Sequence, residues 1–426
     1  MAHGPLSRRA LLVGAAAAAA SSSIKVAPAL AASPNSAALA DVDQALSNAV
    51  QAKAVPHIVA VAATPGGTLY EGSFGTQAIG EGAAVTPESV YWIASMTKAI
   101  TATAAMQQIE RGALRLDQPM GKLLPELEKV QVLDGFDQSG QPKLRAPTRP
   151  ITLRHLLTHT AGFVYSIWDD NMLKYEKVTG TPFIGECKNA SFNAPIMFDP
   201  GERWEYGINM DWVGKAVEAV SDQSLEIYFR ENIFTPLGMP DTGFLIKTPQ
   251  KARTAMMYNR GQDGTLVASP FEMPQRPEFF MGGGALFSTP RDYMQFLQML
   301  LNNGRFNGAQ VLKPDTVATM MQNHIGDLNV VTLKTVQPAL SKDANFFPEQ
   351  SEQKWGLSFD INTAQGPNGR SPGSICWAGL FNTYFWLDPT NKVTGTIMTQ
   401  MLPFADDKVM ELYGQFERGV YNEIKT

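Results

Sequence analysis

Apolar positions recur at helical spacing in "DVDQALSNAVQAK", and the pattern predicts an amphipathic helix over residues 41–53. The period then changes. "HIVAVAATPGGTLYEGSFG" holds two β-rich runs on either side of Pro65-Gly66-Gly67, a hairpin signature. Helical patterns fill the middle of the chain, at residues 96–111, 153–158, 211–220 and 225–232. Near the end, "TYFWLDPTNKVTGTIMTQ" is a second pair of β-rich runs, around Asp388-Pro389-Thr390-Asn391. A last helix covers residues 407–421. Strands at both ends with helices between them predict an α+β fold, in which one sheet draws on both termini and a helical lobe is inserted. The polar Gly/Pro-rich stretches at 139–142 and 363–372 read as surface loops.

Composition narrows the picture. The chain has 426 residues, 44% hydrophobic and 18% charged, which is globular and long enough for a substantial core. Net charge is −5 and no long basic run appears, so no nucleic-acid partner is expected. Cys187 and Cys376 are too few for a disulfide framework or a thiolate metal site, and read as unpaired core thiols. The first 31 residues form a different kind of segment. Arg8-Arg9, an alanine-rich apolar stretch and Ala29-Leu30-Ala31 make the pattern of a twin-arginine-type secretory signal. The protein is therefore expected to be exported, to the periplasm or beyond, with the folded domain at 38–422. The apolar stretch is too short for a stable membrane anchor. The alternative is a disordered alanine-rich leader. The sequence leaves oligomeric state open.

One short stretch carries candidate chemistry. In "YWIASMTKAI", Ser95 stands three residues ahead of Lys98 at the start of an apolar helix. Residues three apart share a helix face. A lysine on an apolar face is desolvated, which lowers its pKa. A neutral amine beside a hydroxyl can take its proton and make the serine a nucleophile. Free N–H groups at the helix start would serve a developing oxyanion. The plainer reading is a serine cap and a lysine that snorkels to water. Two other serines precede a lysine by three residues. Ser22 and Lys25 fall in the expected leader, and Ser351 and Lys354 in the polar run "FPEQSEQKWG", where a solvated turn accounts for them.

Five blocks together favour the chemical reading. "VTPESVYWIASMTKAITATAAMQQIERGALRLDQPM", "ITLRHLLTHTAGF", "FDPGERWEYGINMDWVG", "MGGGALFSTPRDYMQFLQML" and "WAGLFNTYFWLDP" occur in order across the chain. Their order and content resemble the serine β-lactamase-like hydrolases: penicillin-binding proteins, class C β-lactamases and, most closely, family VIII carboxylesterases. The resemblance implies a β-lactamase/transpeptidase-like fold with an antiparallel sheet. It implies Ser95 as nucleophile, with Lys98 and Tyr206 as the proton-handling pair. The second box is Tyr-x-Asn, but Ile208 stands at the asparagine position and Asn209 follows one residue late. Asn209 is thus the available amide for substrate. The third box is Lys-Thr-Gly in the penicillin-recognising members and Trp377-Ala378-Gly379 here, at an expected strand start. Tryptophan cannot attract a carboxylate; it offers an apolar face and one donor. The resemblance further implies that Gly379 lets substrate approach the strand, and that the N–H of Leu380 joins that of Ser95 in an oxyanion hole. Without the resemblance, Tyr206 and Trp377 read as core aromatics.

Other constellations are weaker. His155 and His159 have metal-ligand spacing, but no glutamate follows His155, so zinc is not expected. No Gly-x-Ser-x-Gly elbow or Walker-type loop occurs, and Gly282-Gly283-Gly284 reads as backbone passing close to the cleft. Phe163, Tyr165, Trp168 and Trp204 line an acyl pocket or pack the core. The expectation is a serine hydrolase cleaving small carboxylic esters through an acyl-enzyme, with no metal or organic cofactor. A β-lactamase, a D-Ala-D-Ala-type peptidase, an amidase or an acyltransferase of the same fold is the alternative. A penicillin-binding or sensor protein without turnover is the alternative from another class.

Overall fold

A computed structural model describes residues 37–347 and 351–425. The expected leader at 1–31 lies outside the described residues. The chain opens with helix α1 (Ala37–Gln51), which begins earlier than its apolar spacing predicts. Strands β1 (His57–Thr64) and β2 (Gly67–Ala78) form the hairpin about Pro65-Gly66, and β3 (Glu81–Ala84) pairs on β2. The rest of the main sheet comes from the other end of the chain: β4 (Gln353–Trp355), β5 (Asp360–Asn362), β6 (Ile375–Gly379), β7 (Thr383–Asp388) and β8 (Val393–Met398). The eight strands run β4-β5-β6-β7-β8-β1-β2-β3, all antiparallel, with β1 joined to β8 from Val59↔Met398 to Ala63↔Thr394. This is the α+β, β-lactamase/transpeptidase-like arrangement, with the sheet built from both termini.

Both faces of the sheet are covered, which explains why "TYFWLD" is buried at every position rather than alternating. Tyr384 and Trp386 face the last helix (Asp407–Glu423), 5.0 Å from the Tyr413 ring and 5.2 Å from the Phe416 ring. Phe385, between them, points the other way, 5.6 Å from Tyr293 of helix Pro290–Leu301. That helix has a Thr289 cap and Pro290 in its first turn.

The inserted lobe holds helix α2 (Thr97–Glu110), α3 (Leu153–Leu157), Asp170–Thr179, α4 (Asn209–Ser221) and Leu225–Phe229, the last running on as a π-helical turn, Arg230–Phe234. Helix α2 is buried on every side from Thr97 to Gln108, as expected for a helix at the centre of a lobe. The 139–142 stretch is the turn of a small hairpin, Val132–Phe136 with Pro142–Arg145. Lys354 is not in a solvated turn: it lies on edge strand β4, its amine bonded to the Leu328 carbonyl at 3.0 Å and to Glu352 at 2.8 Å. Cys187 and Cys376 are buried and unbridged. No helix among the described residues is long and apolar enough to cross a membrane.

Candidate active site

Ser95 stands where the end of β6 meets the start of α2. Gly379 makes that meeting possible, because a Cβ there would come 2.3 Å from the Ile93 carbonyl oxygen. The close approach that needs glycine is backbone to backbone, not substrate to strand as the sequence suggested. Trp377-Ala378-Gly379 also falls at the end of its strand, not the start. Ala94 holds φ at 43°, a left-handed conformation that a non-glycine residue adopts only under constraint. A 3-10 turn over Ala94–Met96 leads into α2, and no side chain caps either start. Ser95 is therefore no cap. Its Oγ accepts from Lys98 Nζ at 3.0 Å.

Lys98 does not snorkel to water; it is fully buried. Its amine also reaches the Tyr165 hydroxyl at 3.1 Å and the Gly283 carbonyl at 2.5 Å. Burial pulls its pKa down to about 7, against the attraction of the Asp211 carboxylate. Two phenol rings flank the amine, with the Tyr206 centroid 4.7 Å away and that of Tyr165 at 5.2 Å. Gly207 brings the rings together: a Cβ there would sit 2.1 Å from the Phe163 carbonyl oxygen, so only glycine lets this chain lie against the Phe163–Tyr165 segment. Burial raises the pKa of Tyr206, and hydrogen bonds with Ser95 and Trp377 draw it part of the way back. The Trp377 indole N–H gives that second bond, to the phenol oxygen at 3.0 Å. Trp377 is 4% exposed, and its donor is committed to Tyr206. It acts on the phenol and does not touch the cleft, a correction to its expected substrate contact.

Asn209 needs the same correction. It begins α4 fully buried, and its amide N–H groups go to His159 Nδ1 at 2.9 Å and to the Phe163 carbonyl at 3.0 Å. The one-residue displacement of the asparagine turns its amide into the core. His155 and His159 diverge: the His155 ring accepts from the Thr152 N–H and caps its own helix, while His159 pairs with Asn209.

The cleft over Ser95 is lined by Trp92, Ile167, Trp168, Phe183, Met281 and Leu380, with Tyr165 beside them and no charged side chain among its lining residues. Leu380, one residue past β6, shares this wall with Ser95. Phe163 and Trp204 are core; Phe163 stacks on Trp212, and Trp204 packs against Trp355 with ring centroids 5.2 Å apart. Tyr165, Gly283 and Asp211 stand out only in the structure. Their sequence signals were a tyrosine two residues past "ITLRHLLTHTAGF", a glycine run, and an acid in the first turn of an apolar helix.

Comparison with known proteins gives the family. The family model described as Beta-lactamase matches residues 42–418. The ML-236A carboxylate methylbutanoyltransferase mlcH of Penicillium citrinum is 30% identical over 95% of this chain and 99% of its own. The lovastatin esterase of Penicillium rubens is 30% identical over 79% of this chain and 86% of its own. The simvastatin synthase LovD of Aspergillus terreus, in its LovD6 mutant form, superposes with a TM-score of 0.80 at 29% identity, over 91% of this chain and 98% of that one. With the match spanning nearly all of the folded residues, the chain belongs to the beta-lactamase family of serine enzymes.

Proposed function

We propose that the protein is a serine esterase that works through an acyl-enzyme on Ser95, with alcohols competing with water for the acyl group. The observation that carries this is a fully buried Lys98 amine 3.0 Å from Ser95 Oγ beneath a cleft without charge. The neutral amine accepts the Ser95 proton as Oγ bonds the ester carbonyl carbon. The backbone N–H groups of Ser95 and Leu380 receive the oxyanion. When the tetrahedral species collapses, the C–O bond breaks and Tyr206, recharged from Lys98, protonates the leaving alkoxide. Water, or a second alcohol, then gives its proton to the same pair and attacks the acyl carbon; the bond from that carbon to Ser95 Oγ breaks, and the pair returns the proton to Oγ. An apolar lining suits a neutral, apolar acyl group. The cleft offers no cationic side chain to a substrate carboxylate, which speaks against carboxylate-bearing substrates such as β-lactams.

The test is turnover of p-nitrophenyl butyrate and of nitrocefin, with Ser95→Ala alongside. Fast ester cleavage that vanishes in the variant, with little nitrocefin turnover, is the expected result. Efficient nitrocefin turnover would sink the argument from the uncharged cleft. Transfer as the main activity is the second reading, favoured by the methylbutanoyltransferase similar over nearly its whole length. Product analysis with an added alcohol decides it: ester product in excess of free acid would make the protein a transferase. The reading also places the enzyme outside the cytoplasm, supported by Arg8, Arg9 and Ala29-Leu30-Ala31. A mature natural protein that retains residues 1–31 would contradict that part.

A further inference from the structure

The Ser95–Lys98 pair is held from behind by a residue that touches neither. Asp211 lies in the first turn of α4, 1% exposed. Its Oδ1 accepts the N–H of Gly283 at 2.8 Å, and its Oδ2 is buried with no hydrogen-bond partner. Gly283 is thus gripped at both ends, its N–H by Asp211 and its carbonyl by Lys98 at 2.5 Å. The fit is close. A Cβ on Gly283 would lie 2.6 Å from Asp211 Oδ2, and one on Gly282 would lie 3.0 Å from the Met210 carbonyl oxygen. Thr101 of α2 holds the same loop, donating to the Gly282 carbonyl at 2.6 Å.

The arrangement has a consequence for the amine. A carbonyl can only accept, so Lys98 gives Gly283 one N–H in either protonation state. Neutral Lys98 has two N–H groups and one lone pair. With one N–H on Gly283 and the other on the Tyr165 oxygen, the lone pair is left facing Ser95 Oγ. We propose that Asp211 is a positioning residue for the catalytic pair: by holding Gly283 it turns the Lys98 lone pair onto Ser95, and it is the counter-charge that Lys98 faces. This rests on the acyl-enzyme reading above. The groups around Lys98 are Ser95 on its own helix start, Tyr165 and His159 from the segment after α3, and Tyr206 and Asp211 from α4 and the residues before it. Burial holds His159 neutral and both phenols protonated. Among the described residues, Asp211 is the group whose charge acts on Lys98, and it favours the ammonium.

The experiment is the pH dependence of kcat and of kcat/KM for p-nitrophenyl butyrate in the full-length protein, Asp211→Asn and Asp211→Ala. Asparagine keeps an oxygen for the Gly283 N–H and removes the charge. Its kcat is expected within about tenfold of the parent, with the acid limb of kcat/KM moved to lower pH by about one unit, because the ammonium has lost its counter-charge. Alanine releases Gly283, and kcat is expected to fall ~10²-fold with KM little changed. Should Asp211→Ala not fold, the near-isosteric Asp211→Asn carries the test alone. An acid limb that stays in place in Asp211→Asn overturns the proposal. So does full kcat in folded Asp211→Ala. A parent profile with no acid limb near neutrality instead removes Lys98 as the base, and the proposal falls with that reading.

Discussion

The indole N–H of Trp377 donates to the phenol oxygen of Tyr206 at 3.0 Å. A donor at that oxygen favours the phenolate and so eases proton transfer from Tyr206. Trp377→Phe keeps the ring and loses the donor. The expected result is a fall in kcat of about tenfold, the worth of one hydrogen bond at ~1.4 kcal/mol, with little change in Tm. Steady-state kinetics beside a thermal melt checks it. An unchanged kcat would mean that Tyr206 transfers no proton in the slow step.

The pH profile follows from Lys98. Burial lowers its pKa to about 7, and the attacking form is the neutral amine. Activity therefore rises with pH through the neutral range and levels off above it. The kcat/KM profile for p-nitrophenyl butyrate should show one acid limb near pH 7. A flat profile from pH 5 to 9 (~100-fold on either side of neutral in proton activity) would rule out this base.

The two tyrosines separate by role. Tyr165→Phe keeps the ring in the cleft and removes an acceptor from Lys98, so kcat should drop about tenfold with KM nearly unchanged. Tyr206→Phe removes the proton carrier itself and should cost ~10²-fold or more. Equal losses in the two variants would contradict the assignment.

Much of this site was legible in the chain, for identifiable reasons. Ser95 and Lys98 are neighbours on one helix, so spacing alone places them together. Tyr206 and Trp377 were reachable only through their blocks, because their contact spans 171 residues. Spacing could not show that Asn209 turns inward, since one residue of displacement on a helix start swings a side chain by about 100°. Tyr165 was missed at the amine because its bond to Lys98 joins segments 67 residues apart. Helix Pro290–Leu301 was signalled by Thr289-Pro290 and Asp292, a cap, a first-turn proline and a first-turn acid. The helical patterns read from the sequence did not include it. Helix Asp170–Thr179 exposes most of its length and so lacks a strong apolar stripe.

Stability away from the cleft depends on a buried ion pair. Arg370 and Glu417 bond directly, with side chains 3% and 6% exposed, and the Arg370 guanidinium also donates to the Tyr413 hydroxyl at 2.7 Å. Arg370→Met removes the counter-charge of the buried Glu417 carboxylate and leaves it the Asn368 amide donor, at 2.9 Å. A loss of about 3–5 kcal/mol in urea unfolding is expected, with activity per folded molecule kept. A loss under about 1 kcal/mol would mean that water reaches Glu417 once the arginine is gone.

The central claim is a covalent acyl-enzyme on Ser95. Its most direct test is intact-mass and peptide-mass analysis of protein quenched during turnover of p-nitrophenyl butyrate. One butyryl group on the peptide that contains Ser95, absent from Ser95→Ala, is the predicted result. Turnover at full rate by Ser95→Ala, or an acyl group on any other residue, would contradict the account.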